Sequence, residues 1–246
     1  MDRLIYTAMT GAKQIMEQQA TTSHNLANVS TSGFRAQLDT FRAVPVVSNG
    51  LPTRAFVVDS TVGSDFRAGP IQHTGRDMDI AVQGKGWIAV EREDGSEGYT
   101  RAGSLKINEN GVLQTENGLN VLGDGGPIAI PPDTHITIAK DGTISTVEAG
   151  STPGATIQLA RLKLVNPDEA TLVRGSDGLF VTADGEPAEA DANVSIIGGA
   201  LEGSNVNVVD AMVNMIALSR QFEVHMNMLK HAESNAAKAS EFLSLS

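Results

Sequence analysis

The sequence predicts an α+β protein in which long N- and C-terminal helices pair as a coiled-coil-like segment around a central antiparallel all-β body. Glycine and proline, the main helix breakers, are nearly absent from both ends. Residues 1–32 contain only Gly11, and residues 204–246 contain neither type. All nine prolines lie between these two segments. Apolar residues at both ends recur in steps of three and four, whereas short strand-like runs separated by turn dipeptides fill the middle.

The first predicted element is a helix that ends near Gly33. Eight positions in alternating steps of three and four form its seam: Ile5, Ala8, Ala12, Ile15, Gln19, Thr22, Leu26 and Val29. Because two of them are polar and two are alanine, the seam buries little apolar area and the helix would be marginal alone. Gly33 can adopt the left-handed conformation that follows a helix, and we expect Phe34 to pack on the last turn.

An extended connector is predicted over residues 34–76, between the first helix and the β domain. The spacing of Phe34, Leu38 and Phe41 predicts one short helix at its start, before Pro45. Later in the connector, a strand is expected at Ala55–Asp59. The connector contains three prolines and has weak hydrophobic patterning, which favours an extended chain.

The predicted β domain covers residues 77–203. Seven Asp-Gly or Asn-Gly dipeptides, which favour tight hairpin turns, begin at positions 94, 110, 117, 124, 141, 177 and 184. Strand-like runs lie at 79–82, 87–91, 105–108, 112–115, 136–139, 143–147, 157–165 and 179–182. This regular spacing is typical of an antiparallel all-β body.

The last predicted element is a helix from about Asn207 to Leu243, roughly 55 Å long at the usual rise per residue. Its seam again alternates steps of four and three, and the stripe consists of Val208, Met212, Met215, Ser219, Phe222, Met226, Leu229, Glu233, Ala236, Ser240 and Leu243. Asn205 and Asn207 offer N-cap side chains, and Asp210 complements the helix dipole in the first turn. Two terminal helices of this kind could pack on each other within one chain. Because apolar residues also lie outside the seam, we expect neighbouring subunits to cover part of them.

Composition and motifs argue against several function classes. A net charge of −11 disfavours binding to nucleic acid or anionic membrane surfaces, and no apolar run is long enough to cross a bilayer. Residues 1–10 lack the apolar core of a secretory signal, so we expect no cleaved leader. The absence of cysteine excludes thiol chemistry. The histidines and carboxylates fall in no ligand or catalytic spacing, so neither an enzyme nor a cofactor is expected.

Three stretches in the expected order resemble the flagellar rod, hook and hook-associated axial proteins. The first is NLANVSTSGFR at 25–35, and the last is LEGSNVN at 201–207, continued by MVNMIALSRQFE at 212–223. The central stretch combines TGRDMD at 74–79, GKGW at 84–87 and GYTRAGS at 98–104. The opening residues 1–11 and residues 42–46 are most similar to the proximal-rod branch, and the distal-rod branch is the alternative. A β-rich secreted binding module is a more remote possibility.

The resemblance implies a structural role. Members of this family pair and stack their terminal helices around a central channel, with the β domains outward. They are exported by the flagellar type III apparatus and build the periplasmic rod that transmits torque from the motor to the hook. The implied partners are copies of this chain and other rod proteins, with no nucleic acid and no insertion into the membrane.

The residues expected at the assembly interface belong to the two family motifs and to the two helical seams. On the N-terminal side they are Ile5, Ile15, Asn25, Leu26, Asn28, Gly33 and Phe34. On the C-terminal side they are Asn205, Asn207, Met212, Met215, Phe222, Met226 and Leu229. The predicted assembly domain comprises residues 1–33 and 204–246.

Overall fold

The computed structural model describes residues 2–45, 55–132, 134–148 and 157–244. Contacts between Cα atoms divide the chain into two units. The helical unit comprises Met1–Val29, Ala36–Asp65 and Val206–Ser246, and the β unit comprises Ser30–Arg35 and Phe66–Asn205. Part of the predicted connector, residues 46–54, lies outside the described residues.

The helical unit contains two α-helices and one antiparallel hairpin. Helix α1 spans Asp2–Ala27 and helix α2 spans Val208–Ser244. Strand β1 (Gln37–Pro45) pairs with β2 (Ala55–Ser64), with a register shift at Thr40/Phe41. The short helix predicted at the start of the connector is therefore wrong: this segment is β1. Its side chains alternate between half-buried and exposed from Gln37 to Arg42, as a strand requires.

The coiled-coil-like pairing predicted for the two helices is also wrong. Helix α1 contacts α2 on one side and the β1–β2 hairpin on another, so its buried residues do not serve a two-helix seam alone. On α2 the buried residues are Ala211 and Leu218, whereas the predicted seam residues Met212 and Ser219 are exposed. A shift of one residue turns a side chain by about 100° around the helix axis.

The β unit contains the remaining sixteen strands within the described residues. They are β3 (Ile71–His73), β4 (Ile80–Gln83), β5 (Trp87–Glu91), β6 (Glu97–Thr100), β7 (Leu105–Ile107), β8 (Leu113–Thr115), β9 (Leu122–Gly123), β10 (Gly126–Pro127), β11 (Thr134–Ile138), β12 (Thr143–Glu148), β13 (Ile157–Arg161), β14 (Leu164–Val165), β15 (Leu172–Arg174), β16 (Phe180–Thr182), β17 (Ser195–Gly198) and β18 (Ala200–Glu202). One 3₁₀ turn, Glu169–Thr171, precedes β15.

Every sheet of the β unit is antiparallel, as the sequence predicts. The largest sheet has the order β14-β5-β6-β16-β15, and a second has the order β11-β12-β13. The other strands form the pairs β17-β4, β18-β3, β7-β8 and β10-β9. Most of the predicted turn glycines adopt positive φ angles; at the dipeptide Asp124-Gly125 it is the next residue, Gly126, that does so (φ 109°).

Two apolar clusters hold the β unit together. The larger joins residues from most of the strands and includes the fully buried Ile80, Ile88, Ile144 and Ile196. The smaller is aromatic and surrounds Trp87, whose ring centroid lies 4.7 Å from that of Phe180. Such dense burial of large side chains is the main stabilising contribution in a domain of this size.

Candidate functional site

The three motifs of the sequence meet inside the β unit at a buried cluster of charges, which we call the junction. It is formed by Arg35, Arg101 and Glu202, one from each motif. Their side chains are 0%, 4% and 1% exposed. The first motif leads out of α1 and the last leads into α2, so the junction lies where the chain enters and leaves the β unit.

The Glu202 carboxylate is the centre of the junction. Its Oε1 accepts hydrogen bonds from Arg35 Nη2 at 2.7 Å and from Gly69 N at 2.9 Å. Its Oε2 accepts from Arg101 Nη1 at 2.9 Å. Hydrogen bonds between ionised groups are stronger than neutral ones. A single carboxylate therefore compensates two buried guanidinium groups, and its removal would leave both unpaired.

The Arg101 guanidinium is fixed by further contacts. Its Nη2 donates to the Gly84 carbonyl at 2.6 Å and its Nη1 to the Val82 carbonyl at 3.3 Å. Burial lowers the pKa of Arg101, while the nearby Glu202 carboxylate opposes that shift. The guanidinium carbons of Arg101 and Arg35 lie 5.3 and 5.8 Å from the centroid of the Trp87 ring. These are cation–π distances, so the single tryptophan of the chain packs directly on the charge cluster.

Backbone contacts join the two motifs around the charges. Gly33 N donates to the Glu202 carbonyl at 2.8 Å, and Asn205 N donates to the Phe34 carbonyl at 3.3 Å. Gly33 has a φ of 68°, and a Cβ there would lie 2.2 Å from the carbonyl carbon of Arg101. Only glycine allows this approach, because an added Cβ would overlap the backbone of the central motif.

Phe34 is buried in the junction. The Arg174 guanidinium carbon lies 4.6 Å from the centroid of its ring, and Arg174 Nη1 donates to the Arg35 carbonyl at 2.9 Å. Burial lowers the pKa of Arg174. Gly33 does not end the first helix, because α1 stops six residues earlier, at Ala27. The motif between them is a turn that carries Phe34 into the β unit.

The predicted cap residues of α2 have two different partners. Asn207 caps the helix: its Oδ1 accepts hydrogen bonds from Val209 N at 3.0 Å and Asp210 N at 3.4 Å. Asn205 instead belongs to the β unit, where its Nδ2 donates to the Arg67 carbonyl at 2.9 Å.

The predicted residues of the N-terminal side differ in their surroundings. Ile15 is buried, Leu26 is half-buried, and the side chain of Ile5 lies outside the described residues. Asn25 exchanges two hydrogen bonds with the backbone of Gln37, at 2.9 and 2.8 Å. Asn28 Nδ2 donates to the His24 carbonyl at 2.9 Å.

The predicted stripe on α2 is divided between two environments. Met215, Phe222 and Leu229 are half-buried on the inner side of the helix, whereas Met212 and Met226 are exposed. The structure thus brings Gly33, Phe34 and Asn205 together at the junction.

Sequence reasoning missed the partners in the junction. Arg35, Arg101 and Glu202 were all inside the quoted motifs, but their partners are 101 and 167 residues away along the chain. No local spacing reveals such a pair. The only signal in the sequence was that each of the three stretches contains a charged residue within two positions of a glycine.

Neither a metal-binding cluster nor a membrane-spanning helix is found among the residues that the structure describes. No group of three or more histidine, aspartate or glutamate residues is placed to hold a metal ion among the described residues. None of the helices, as far as they are described, is long and apolar enough to cross a membrane. The arrangement at the junction provides cohesion between distant parts of the chain.

Comparisons with known proteins agree with the motifs. Residues 5–35 match the family model "Flagella basal body rod protein", residues 81–146 match "Flagellar hook protein FlgE/F/G D1 domain", and residues 197–242 match "Flagellar basal body rod FlgEFG protein C-terminal". These matches include Arg35, Arg101 and Glu202.

Full-length relatives narrow the assignment. The chain is 47% identical to the flagellar basal-body rod protein FlgF of Escherichia coli and 46% identical to that of Salmonella typhimurium, over the whole of each chain. A flagellar basal-body rod protein FlgG, from Buchnera aphidicola, is 30% identical over 89% of this chain and 91% of its own. The proximal-rod branch expected from the opening residues is therefore confirmed, and the chain belongs to the flagellar basal-body rod protein family, in its FlgF group.

Proposed function

We propose that this chain polymerises through its terminal helices, with copies of itself and with other rod proteins, to form the proximal part of the flagellar rod. Membership of the family makes it a structural component of the flagellar basal body and not an enzyme. In this proposal the rod is the periplasmic drive shaft that carries torque from the motor to the hook. The subunit reaches the growing tip through the flagellar type III export apparatus.

The observation that carries the proposal is the apolar surface that both helices leave uncovered. On α2, Val209 is 68% exposed and Val213, Ile216 and Met212 are 50–59% exposed. On α1 the same holds for Tyr6, Met9 and Met16. Contiguous exposed apolar patches of this kind mark interaction sites in soluble proteins.

The first turns of α2 are apolar on two opposite sides. Ala211 and Leu218 face inward and are buried, whereas Val209 and Ile216, two residues before each of them, are exposed. Two residues correspond to about 200° around a helix. A helix that is apolar on two opposite sides needs a partner on each of them, and α1 covers only one side of α2.

We therefore assign the assembly interface to both helices and to the residues of the first and last motifs. Met212 and Met226 would contact neighbouring subunits directly, and Met215, Phe222 and Leu229 would hold α2 in place. Ile5, Ile15 and Leu26 would do the same for α1. Asn25 and Asn28 would fix the turn after α1, and Gly33, Phe34, Asn205 and Asn207 would fix the points at which both helices leave the β unit.

The division of the chain proposed for assembly is residues 1–33 and 204–246 for the helical assembly domain, 34–76 for the connector and 77–203 for the β domain. The β domain would face outward from the helical core of the rod. Its acidic surface would discourage contacts between β domains, so that the helices alone decide the packing.

Electron microscopy of basal bodies from a strain that lacks this protein tests the proposal. We expect structures that stop at the ring in the inner membrane, without a completed rod or hook, and cells that do not swim. Expression of the full chain from a plasmid should restore both the rod and swimming. Complete hook–basal bodies in the deletion strain would overturn the proposal.

A further inference from the structure

Gly11 is the only glycine of α1, and it lies inside the helix. Glycine in a helix interior is destabilising relative to alanine, because it loses more backbone freedom on folding. Its neighbours on the same side of α1, Ala8, Ala12 and Ile15, are buried. A residue without a side chain at this point therefore calls for a reason in the packing.

The imidazole of His225, on α2, occupies the space beside Gly11. A Cβ built on Gly11 would lie 2.7 Å from His225 Cε1, 3.2 Å from Nδ1 and 3.5 Å from Nε2. A separation of 2.7 Å between two carbons is far below van der Waals contact. Even alanine at position 11 would therefore force the His225 ring to move from its place against α1.

The position of the His225 ring is determined by its fit beside Gly11 and not by a hydrogen bond at Nδ1. His225 is half-buried, and its Nδ1 is buried without a hydrogen-bond partner among the described residues. The ring is therefore held by the groove that Gly11 opens in α1.

We infer that Gly11 and His225 form a notch and key that fix the position of α2 along and around α1. Three of the five buried apolar residues of the two helices are alanines, at Ala8 and Ala12 of α1 and at Ala211 of α2. Small residues allow close approach but do not prevent one helix from sliding past the other. A single notch with one matching side chain prevents this, and it disfavours pairing with any helix that has a side chain at the notch.

The consequence for assembly rests on the proposed function. The notch decides which side of α2 turns toward α1, and so which side presents Val209, Val213 and Ile216 to a neighbour. A shift of the key would rotate or slide that apolar surface. Gly11 and His225 are thus positioning residues for the interface.

A double-mutant cycle on the full chain tests the inference. Four proteins are compared: the unchanged chain, Gly11→Ala, His225→Ala, and the chain with both substitutions. The melting temperature of the helices is followed by circular dichroism at 222 nm. Helix propensity alone predicts that Gly11→Ala raises this temperature. The notch predicts that Gly11→Ala lowers the melting temperature when His225 is present. It predicts that the same substitution raises the melting temperature when residue 225 is alanine.

Ser23→Ala is the matched control. Ser23 is exposed on α1, so this change should raise the melting temperature slightly whether or not His225 is present. A Gly11→Ala effect of the same sign in both backgrounds would overturn the inference.

The same cycle can be read in cells if the purified helices give no cooperative transition. In the deletion strain, Gly11→Ala should reduce the swim-ring diameter at least twofold, and the double variant should swim as well as His225→Ala alone. Gly11→Ser, with an equally obstructing Cβ, provides a second variant of the same expected sign. Undiminished swimming of both Gly11 variants would contradict the notch, whereas normal swimming of the deletion strain would contradict only the proposed function.

Discussion

The helical unit and the β unit of this chain differ in how many of their apolar side chains they bury. Of the 31 buried apolar residues among those described, 26 lie in the β unit. The helical unit contributes five: Ala8, Ala12, Ile15, Ala211 and Leu218. Conversely, eleven of the fifteen large apolar residues found exposed in the described parts of the chain belong to the helical unit.

Charge is divided in the same way. The β unit holds 11 lysine and arginine residues against 20 aspartate and glutamate residues, whereas the helical unit holds 7 against 9. An excess of charge of one sign favours solubility and disfavours association between copies. The nearly neutral helical unit lacks such repulsion and offers apolar surface instead.

From this comparison we infer that the β unit supplies the stability of the chain and that the helical unit supplies the surface for association. The β unit buries its apolar side chains within itself and should be stable alone. The helical unit buries few apolar side chains, so we expect its full stability to require surface from neighbouring subunits. The proposal that the subunits assemble through their helices rests on this dependence.

The largest expected effect comes from a charge on the inner side of α2. Phe222→Glu places a carboxylate where a half-buried aromatic ring packs, and an unpaired charge there is strongly unfavourable. We expect no rod assembly and no swimming, with the β unit still folded. Gln221→Glu adds the same charge at the adjacent exposed position and should preserve swimming. If the two variants swam equally well, the proposed difference between the inner and the exposed side of α2 would be contradicted.

Next in size is the effect of Glu202→Gln on the β unit. Removal of the carboxylate charge leaves Arg35 and Arg101 buried without a counter-ion, which typically costs about 3–5 kcal/mol. Urea unfolding followed by the emission of Trp87, which packs on both arginines, measures this loss. Glu186→Gln, at an exposed position, is the control and should change the free energy of unfolding little. A loss below about 1 kcal/mol would mean that the junction is not the main tie between the motifs.

Alanine substitutions at two glycines with similar backbone conformations distinguish the cost of a steric overlap from the cost of backbone strain. Gly33 (φ 68°) faces the backbone of Arg101, whereas Gly75 (φ 73°) has no atom within 4 Å of an added Cβ. Gly75→Ala should cost about 1–2 kcal/mol, the penalty of a left-handed conformation. Gly33→Ala should cost roughly 1–3 kcal/mol more, because the backbone must move apart. Equal losses in urea unfolding would show that the close approach at Gly33 contributes nothing.

The smallest effect is expected at the surface of the β unit. Lys85 Nζ lies 3.0 Å from Glu169 Oε1, with the two side chains 77% and 44% exposed. Exposed ion pairs contribute about 0–1 kcal/mol, so Lys85→Ala should barely change the unfolding free energy. Any difference should vanish in high salt. A loss of more than about 1 kcal/mol would mean that this ion pair stabilises the β unit more than exposed ion pairs usually do.

Local patterns predicted the β unit well, because its strands are short and bounded by turn residues. Strand β5, at Trp87–Glu91, has the predicted bounds. Helix α2 begins and ends within one residue of the bounds predicted for it. Glycine after aspartate or asparagine also marked most of the turns. In each of these cases the residues that determine the element lie within the element itself.

The failures concern residues whose structure depends on distant partners. Phe34, Leu38 and Phe41 fit a helical spacing, but the segment pairs with β2 beyond residues 46–54 and becomes β1. The predicted two-helix seam was one residue off at Met212, because Ala211 is the buried residue there. The charge partners at the junction are likewise separated by more than a hundred residues, and only the folded chain reveals them.

The most direct test of the difference between the two units is amide hydrogen exchange of the purified, unassembled chain. The measurement compares protection in residues 66–205 with protection in residues 2–27 and 208–244. Strong protection of the β unit together with rapid exchange of both helices is the predicted result, since the helices await neighbouring subunits. Equal protection of helices and β unit in the isolated chain would contradict the assignment of stability to one unit and association to the other.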